Sequence, residues 1–137
     1  MREELLRFIE TPDRETFLAF RAKIIASAAY QPYSDEFDTV GELLEKQKFQ
    51  EAQEILRQAM GNLMLSPRAH QYLGYAHHKL GDKQRADMEM MIGIVCVEGI
   101  LTTGDGSQES PYLVLRTSDE YDVLEHFEKQ LQQQSLL

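Results

Sequence analysis

The chain has 137 residues, of which 42% are hydrophobic and 27% are charged, and its formal net charge is -9. A chain of this size buries a core as one domain without disulfides. Its single cysteine, Cys96, cannot build a disulfide framework, so we expect a reducing, cytoplasmic compartment. The negative charge argues against nucleic acid and anionic membrane as partners, and no run reaches the roughly 18 apolar residues of a membrane helix.

The first thirty residues predict two helices. Residues 3–9 form a short one, and Thr11-Pro12 is typical of the N-cap and first-turn proline of the next. In that second helix apolar residues recur from Phe17 at steps of three and four. It should end near Tyr30, because the residue before a proline disfavours helix.

The middle of the chain predicts four helical stretches. Residues 37–59 carry two of them, broken near Gln47-Lys48, and residues 61–67 form a connection. The third runs over residues 68–80 and ends at Gly81, a glycine signal for a helix C-terminus. The fourth begins near Lys83 and extends to Leu101.

The C-terminal part begins at residues 102–107, which are rich in threonine, glycine and aspartate and break the helical pattern. Residues 112–115 have the composition of a strand. Residues 117–120 fit a capping box, with Thr117 as the cap of a last helix. The chain end, residues 135–137, frays or pairs with the strand at 112–115.

An internal repeat crosses the middle of the chain. Matching residues lie 34 positions apart in four pairs: Ala52 and Ala86, Leu56 and Met90, Ala59 and Gly93, Gln50 and Gln84. This period and the spacing of residues 70–90 resemble the tetratricopeptide repeat, with His70 and His77 at two of its aromatic core positions. The small Gly74 would let two antiparallel helices approach closely. The first copy of the repeat matches well only in its second helix.

The resemblance implies a concave groove formed by the first helix of each hairpin. In the better copy the groove residues are Arg68, Gln71, Tyr75, His78 and Lys79. In the first copy they are Phe37, Gly41, Leu44 and Glu45. These are not the basic and asparagine residues with which chaperone-binding relatives hold a terminal carboxylate.

A second resemblance covers about residues 17–137. The segments Tyr30-x-Pro32-Tyr33, Gly104-Asp105-Gly106 and Glu120-Tyr121 occur in an order similar to that of an uncharacterised bacterial family. This resemblance implies a shared fold and no assigned activity. Together the patterns predict a mostly α protein, with a tetratricopeptide-like domain over residues 1–102. Residues 103–137 would add a small strand-plus-helix extension packed on it.

No constellation predicts catalysis, a cofactor or a metal. Four histidines are present, but no pair has the spacing of a zinc site and one cysteine cannot complete such a site. Cys96 lies in an apolar run, which does not favour a thiolate. The turn at residues 104–107 lacks the lysine of a phosphate-binding loop and the repeated acids of a calcium loop.

The sequence therefore predicts a non-enzymatic protein-interaction or scaffold module whose partner is a protein or peptide. One alternative is a structural module that self-associates, as a homodimer, through an exposed apolar face. Another is an enzyme or small-ligand binder near the Gly104-Asp105-Gly106 turn.

Overall fold

The regular structure of the chain is entirely α-helical. The computed structural model describes residues 1–135, and within them there are eight α-helices and no β-strand. The helices are α1 (Arg2–Glu10), α2 (Arg14–Ala26), α3 (Glu36–Glu45), α4 (Phe49–Gln58), α5 (Met60–Leu63), α6 (Pro67–Lys79), α7 (Lys83–Leu101) and α8 (Thr117–Ser135). None of these helices is long and apolar enough to cross a membrane.

Local signals set the ends of the central helices. The Ser66 hydroxyl accepts a hydrogen bond from the Ala69 amide at the start of α6, and Pro67 occupies the first turn. Gly81 follows α6 with φ of 85°, a left-handed conformation that glycine adopts without steric cost. The side chain of Asp82 then caps α7. The predicted bounds of α6 and α7 are confirmed to within one residue.

The start of α2 lies later than predicted. Its N-cap is Asp13, whose carboxylate accepts a hydrogen bond from the Thr16 amide at 2.9 Å. The Asp13 amide donates in return to the Thr16 hydroxyl at 3.1 Å. This reciprocal cap satisfies two amides at once, so Thr11 and Pro12 remain outside the helix. The helix also ends at Ala26, before the predicted end at Tyr30.

The predicted strand at residues 112–115 is wrong. This segment has no regular secondary structure, and side chains satisfy its backbone groups where a strand would use a neighbouring strand. The Leu113 amide donates to the Thr103 hydroxyl at 2.8 Å, and the Tyr30 hydroxyl donates to the Leu115 carbonyl at 2.7 Å. The apolar composition agrees with the burial of Leu115 and the partial burial of residues 112–114, but composition does not specify which groups bond the backbone.

The start of α8 also differs from the prediction. The Asp119 carboxylate, and not a Thr117 cap, reaches back and accepts a hydrogen bond from the Leu115 amide at 3.0 Å. Ser135 is the last residue of α8. Leu136 and Leu137, for which pairing with residues 112–115 was predicted, lie outside the described residues.

The helices enclose two clusters of buried apolar residues. One joins α1, α2, α7 and the C-terminal part: Phe8, Phe17, Phe20, Ile24, Leu65, Cys96, Ile100, Leu115 and Val123. The other joins α3, α4, α5 and α6: Val40, Ala52, Leu56, Leu63, Ala69 and Leu73. Helix α6 packs on α7 along its length, and a Cβ atom at Gly74 would lie 3.0 Å from the sulfur of Met90. The predicted close approach at Gly74 is therefore present.

Candidate functional site

The predicted groove residues lie along one side of α6, which we call the α6 face. At its N-terminal end Arg68 is already engaged. Its guanidinium is 3.3 Å from the Asp122 carboxylate and lies over the Phe37 ring, 5.9 Å from the centroid. Gln71 is half-buried and lines a cleft of about 330 Å³ between α6, α7 and α8. This end of the α6 face is therefore occupied in part by α8.

The C-terminal end of the α6 face is open to solvent. Tyr75 is 45% exposed, and His78 and Lys79 are exposed beside it. The Tyr75 ring meets Phe49 edge-on with centroids 6.0 Å apart, and the Lys79 ammonium lies 5.6 Å from the Tyr75 centroid. The structure thus separates the predicted residues into two that are half-buried near α8, Arg68 and Gln71, and three that are exposed.

The groove residues predicted on α3 have mixed surroundings. Phe37 is half-buried and packs edge-on against Tyr72 with centroids 5.8 Å apart. Gly41 has open space where a side chain would begin. Leu44 is half-buried against the second apolar cluster, and Glu45 is exposed. Only Glu45 among them presents a fully accessible functional group.

A buried polar cluster connects the C-terminal part to the helical core. Arg116 is only 8% exposed, and its guanidinium donates to the Asn62 backbone carbonyl at 2.7 Å. The Asn62 side chain accepts a hydrogen bond from the Gln31 amide at 2.8 Å and donates to the Gln31 carbonyl at 3.0 Å. Residues from three distant segments therefore meet at one asparagine.

Two carboxylates near this cluster have perturbed acidities. Burial raises the pKa of Asp119 to about 6, against the opposing effects of the hydrogen bond from the Leu115 amide and the charge of Arg116. Burial also raises the pKa of Asp122, opposed by Arg68. Burial lowers the pKa of the Arg116 guanidinium. These charged groups are buried away from water, and burying a charge destabilises the fold unless the group is paired with an opposite charge.

His70 forms a second buried polar site, between α6 and α7. Its Nε2 lies 2.6 Å from the Met64 carbonyl oxygen and its Nδ1 lies 2.7 Å from the Glu89 carboxylate. A carbonyl and an ionised carboxylate can only accept, so both ring nitrogens carry protons. Burial alone lowers the pKa of His70, but interactions with the Cys96 sulfur and the Glu89 carboxylate outweigh it and raise the pKa to about 10.

The Gly104-Asp105-Gly106 turn is closed by its own hydrogen bonds. The amides of Asp105 and Gly106 donate to the Ser110 carbonyl at 2.9 and 3.2 Å. The Asp105 carboxylate accepts from the Ser107 amide at 2.8 Å, and the hydroxyl and amide of Ser107 lower its pKa. The donors that a phosphate would need are therefore used within the turn. Within residues 1–135 no three histidine, cysteine or acidic side chains are placed to hold a metal ion.

An apolar groove lies between the irregular segment and α8; we call it the C-terminal groove. Its volume is about 350 Å³. Its main apolar lining residues are Pro111, Tyr112, Val114, Val123, Leu124 and Phe127. The rings of Tyr112 and Phe127 pack against each other with centroids 6.4 Å apart, and Leu124 is 57% exposed. The sequence prediction missed this groove, because the 112–115 segment was assigned to a strand.

The buried polar residues were also missed by sequence reasoning. Asn62 was placed in a connection, and Arg116 follows an apolar run without matching any motif. The Tyr30 hydroxyl donates to the Leu115 carbonyl, and the Leu115 amide donates to Asp119, so these hydrogen bonds join segments that lie 85 positions apart in the chain.

These features define an all-α protein in which buried polar groups, among them Arg116 and Asn62, connect the segment before α8 to the other helices. The model of one family, described as a domain of unknown function (DUF4919), matches residues 24–137, and the chain belongs to this family. Neither a curated protein nor a solved structure matches the chain. The prediction that the chain belongs to a family of unknown function is thereby confirmed.

Proposed function

We propose that this protein is a non-enzymatic interaction module that binds a protein or peptide partner through the α6 face. The observation that carries the proposal is the setting of Tyr75. This aromatic side chain is half-exposed, and its ring contacts both the Phe49 ring and the Lys79 ammonium. Rigid, accessible aromatic residues contribute strongly to binding because little conformational entropy is lost when a partner covers them.

The arrangement of the helices supports a tetratricopeptide-like interpretation of this surface. Helix α3 packs on α4, α4 on α6, and α6 on α7, and α8 then lies against both α6 and α7. That order is the one expected when antiparallel hairpins stack, with the first helix of each hairpin forming the binding side. A cytoplasmic location belongs to the same proposal, since the free Cys96 is buried and structural.

The test is recovery of partners from the native lysate by immobilised protein. Wild type, Tyr75→Ala and His78→Ala are compared, with Tyr33→Ala as the matched control because Tyr33 is 94% exposed and lies outside the α6 face. We expect the same partners to be lost with both α6-face variants and kept with the control. Equal recovery by all four proteins would refute the α6 face as the binding surface.

Self-association is the second candidate function. Helix α7 exposes Met88, Met91 and Ile94 at 52%, 47% and 56%, an apolar surface that a second copy could cover. Light scattering at several protein concentrations separates this function from the first. A molar mass that stays that of one chain at every concentration removes self-association.

A small-ligand or enzymatic role near the Gly104-Asp105-Gly106 turn is the weakest alternative. The turn uses its own amides, and its carboxylate accepts from Ser107. A thermal-shift screen with metal ions and metabolites tests this role. A ligand that raises the melting temperature of wild type but not of Asp105→Asn would support it.

A further inference from the structure

The outer side of α8 is apolar although α8 is the last described helix of the stack. Tyr121 is 61% exposed, Leu124 is 57% exposed and Phe127 is 36% exposed. Their spacing of three residues places them on one side of the helix, next to the C-terminal groove. The inner side of α8 contributes Val123 to the core, at 5% exposure. A helix with apolar residues on both sides is typical of one that packs between two neighbours.

The exposed charged residues of α8 are mostly acidic: Glu120, Glu125 and Glu128 are exposed against one exposed lysine, Lys129, whereas Asp119 and Asp122 are buried. Lys129 is paired with Glu125 at 3.2 Å. The half-buried Arg21 of α2 is also occupied, because its guanidinium donates to the Val114 carbonyl at 3.2 Å. Glu120 lines the C-terminal groove, and Glu128 follows Phe127 on the exposed side of the helix. A partner that covers the groove must therefore face acidic residues.

The acidic residues of α8 favour one of two candidate occupants of the groove, a second copy of the chain or a basic helix. A second copy of the chain would place one acidic α8 against another, and like charges across an interface cost affinity. A basic amphipathic helix has both required properties, because its apolar residues fill the groove and its lysine or arginine residues face Glu120 and Glu128.

We propose that the C-terminal groove and the adjoining side of α8 bind a basic amphipathic helix of a partner protein. This proposal deepens the interaction function above and uses a different surface from the α6 face. The volume of about 350 Å³ is at the low end of ordinary ligand pockets, which suits a few anchoring apolar side chains. Leu124 and Phe127 lie at the centre of the contact and Glu120 at its edge.

The test is fluorescence anisotropy with a labelled synthetic helix of leucine and lysine, longer than about 15 residues so that it holds helical structure. Leucines occupy positions i, i+3, i+4 and i+7. A peptide of the same composition in scrambled order has the same charge without the apolar face. We expect the ordered peptide to bind at least about tenfold more tightly than the scrambled one, and binding to weaken as salt is raised.

The decisive variant is Leu124→Glu. It adds a negative charge, so non-specific attraction of a basic peptide would grow, whereas loss of an apolar anchor in the groove weakens binding about tenfold or more. Leu6→Glu on α1 adds the same charge at a residue that is 48% exposed and outside the groove lining, and it should leave affinity within about twofold. Circular dichroism confirms that both variants are folded.

Three outcomes overturn the proposal. They are equal binding of the ordered and scrambled peptides, equal or tighter binding by Leu124→Glu, and dimerisation of the chain that Leu124→Glu abolishes. In the first two cases the proposal for the C-terminal groove fails, but the interaction function of the α6 face still stands if Tyr75→Ala removes natural partners. Failure of the one proposal is therefore distinguishable from failure of the other. Should Leu124→Glu fail to fold, two single variants replace it. Phe127→Ser removes an apolar anchor and Glu120→Lys replaces an acidic residue at the edge of the groove with a basic one, so each should weaken binding of the ordered peptide.

Discussion

The His70–Glu89 pair gives the most sensitive test of the electrostatics of this fold. His70 is 2% exposed and both of its ring nitrogens face oxygen atoms, so the folded state holds it as the cation. Its pKa is about 10 in the folded state against 6.5 for the ordinary side chain. Each unit of that difference corresponds to about 1.4 kcal/mol, so the contacts of protonated His70 with Cys96, Glu89 and Met64 together stabilise the fold by at most about 5 kcal/mol.

The sign of the pH dependence follows from the raised pKa. Below pH 6.5 His70 is protonated in both the folded and the unfolded states, and its stabilising contribution is complete. As the pH rises from 6.5 towards 10 the unfolded chain loses the proton while the folded chain retains it, so the contribution declines. Between pH 6 and pH 9 the expected loss is about 3 kcal/mol.

The assay is urea unfolding followed by far-ultraviolet circular dichroism at pH 6, 7.5 and 9. The difference in free energy of unfolding between wild type and His70→Gln isolates this residue from other titrating groups. We expect that difference to shrink by about 3 kcal/mol across the range. His78→Gln, the same change at an exposed histidine of α6, should stay within about 0.5 kcal/mol of wild type.

Nuclear magnetic resonance of the wild-type protein tests the same point without a substitution. The ring carbon resonance of His70 should remain that of an imidazolium up to about pH 9. A titration midpoint near 6.5 for that resonance, or a stability difference that does not change with pH, would refute the charged pair.

Four further substitutions test the packing and the buried polar cluster. Burial raises the pKa of Asp119 to about 6, so its contribution to stability is largest below pH 3.8 and is lost as the pH rises through 6. The stability of wild type relative to Asp119→Asn should fall by about 2 kcal/mol between pH 3.8 and pH 6 in urea unfolding. A Cβ atom at Gly99 would lie 2.5 and 2.8 Å from atoms of two buried phenylalanine rings, so Gly99→Ala should lower the free energy of unfolding by about 1–3 kcal/mol. A Cβ atom at Gly41 in α3 would meet open space, so Gly41→Ala should raise the free energy of unfolding by about 0.5–1 kcal/mol. Tyr30→Phe removes the 2.7 Å hydrogen bond to the Leu115 carbonyl and should cost about 1 kcal/mol or more in thermal unfolding, and an unchanged melting temperature would contradict that role.

The candidate site was only partly predictable from the sequence. Helical period alone decides which residues share a side, so the sequence places Tyr75, His78 and Lys79 together on α6, and the structure leaves all three exposed. It could not show that Arg68 pairs with Asp122, which lies 54 positions later in the chain. Side chains so distant in sequence meet only because α8 folds back on α6.

The sequence by itself determined where most helices begin and end, because caps, prolines and left-handed glycines act over one or two turns. Ser66 and Pro67 start α6 and Gly81 ends it without help from distant residues. Tertiary structure alone decided the conformation of residues 112–115. Their composition suits a strand, but a strand needs a neighbour, and here Thr103, Tyr30 and Asp119 supply the hydrogen bonds instead. Helical hydrogen bonds form within one segment, whereas the partners of an extended segment are chosen by the rest of the fold.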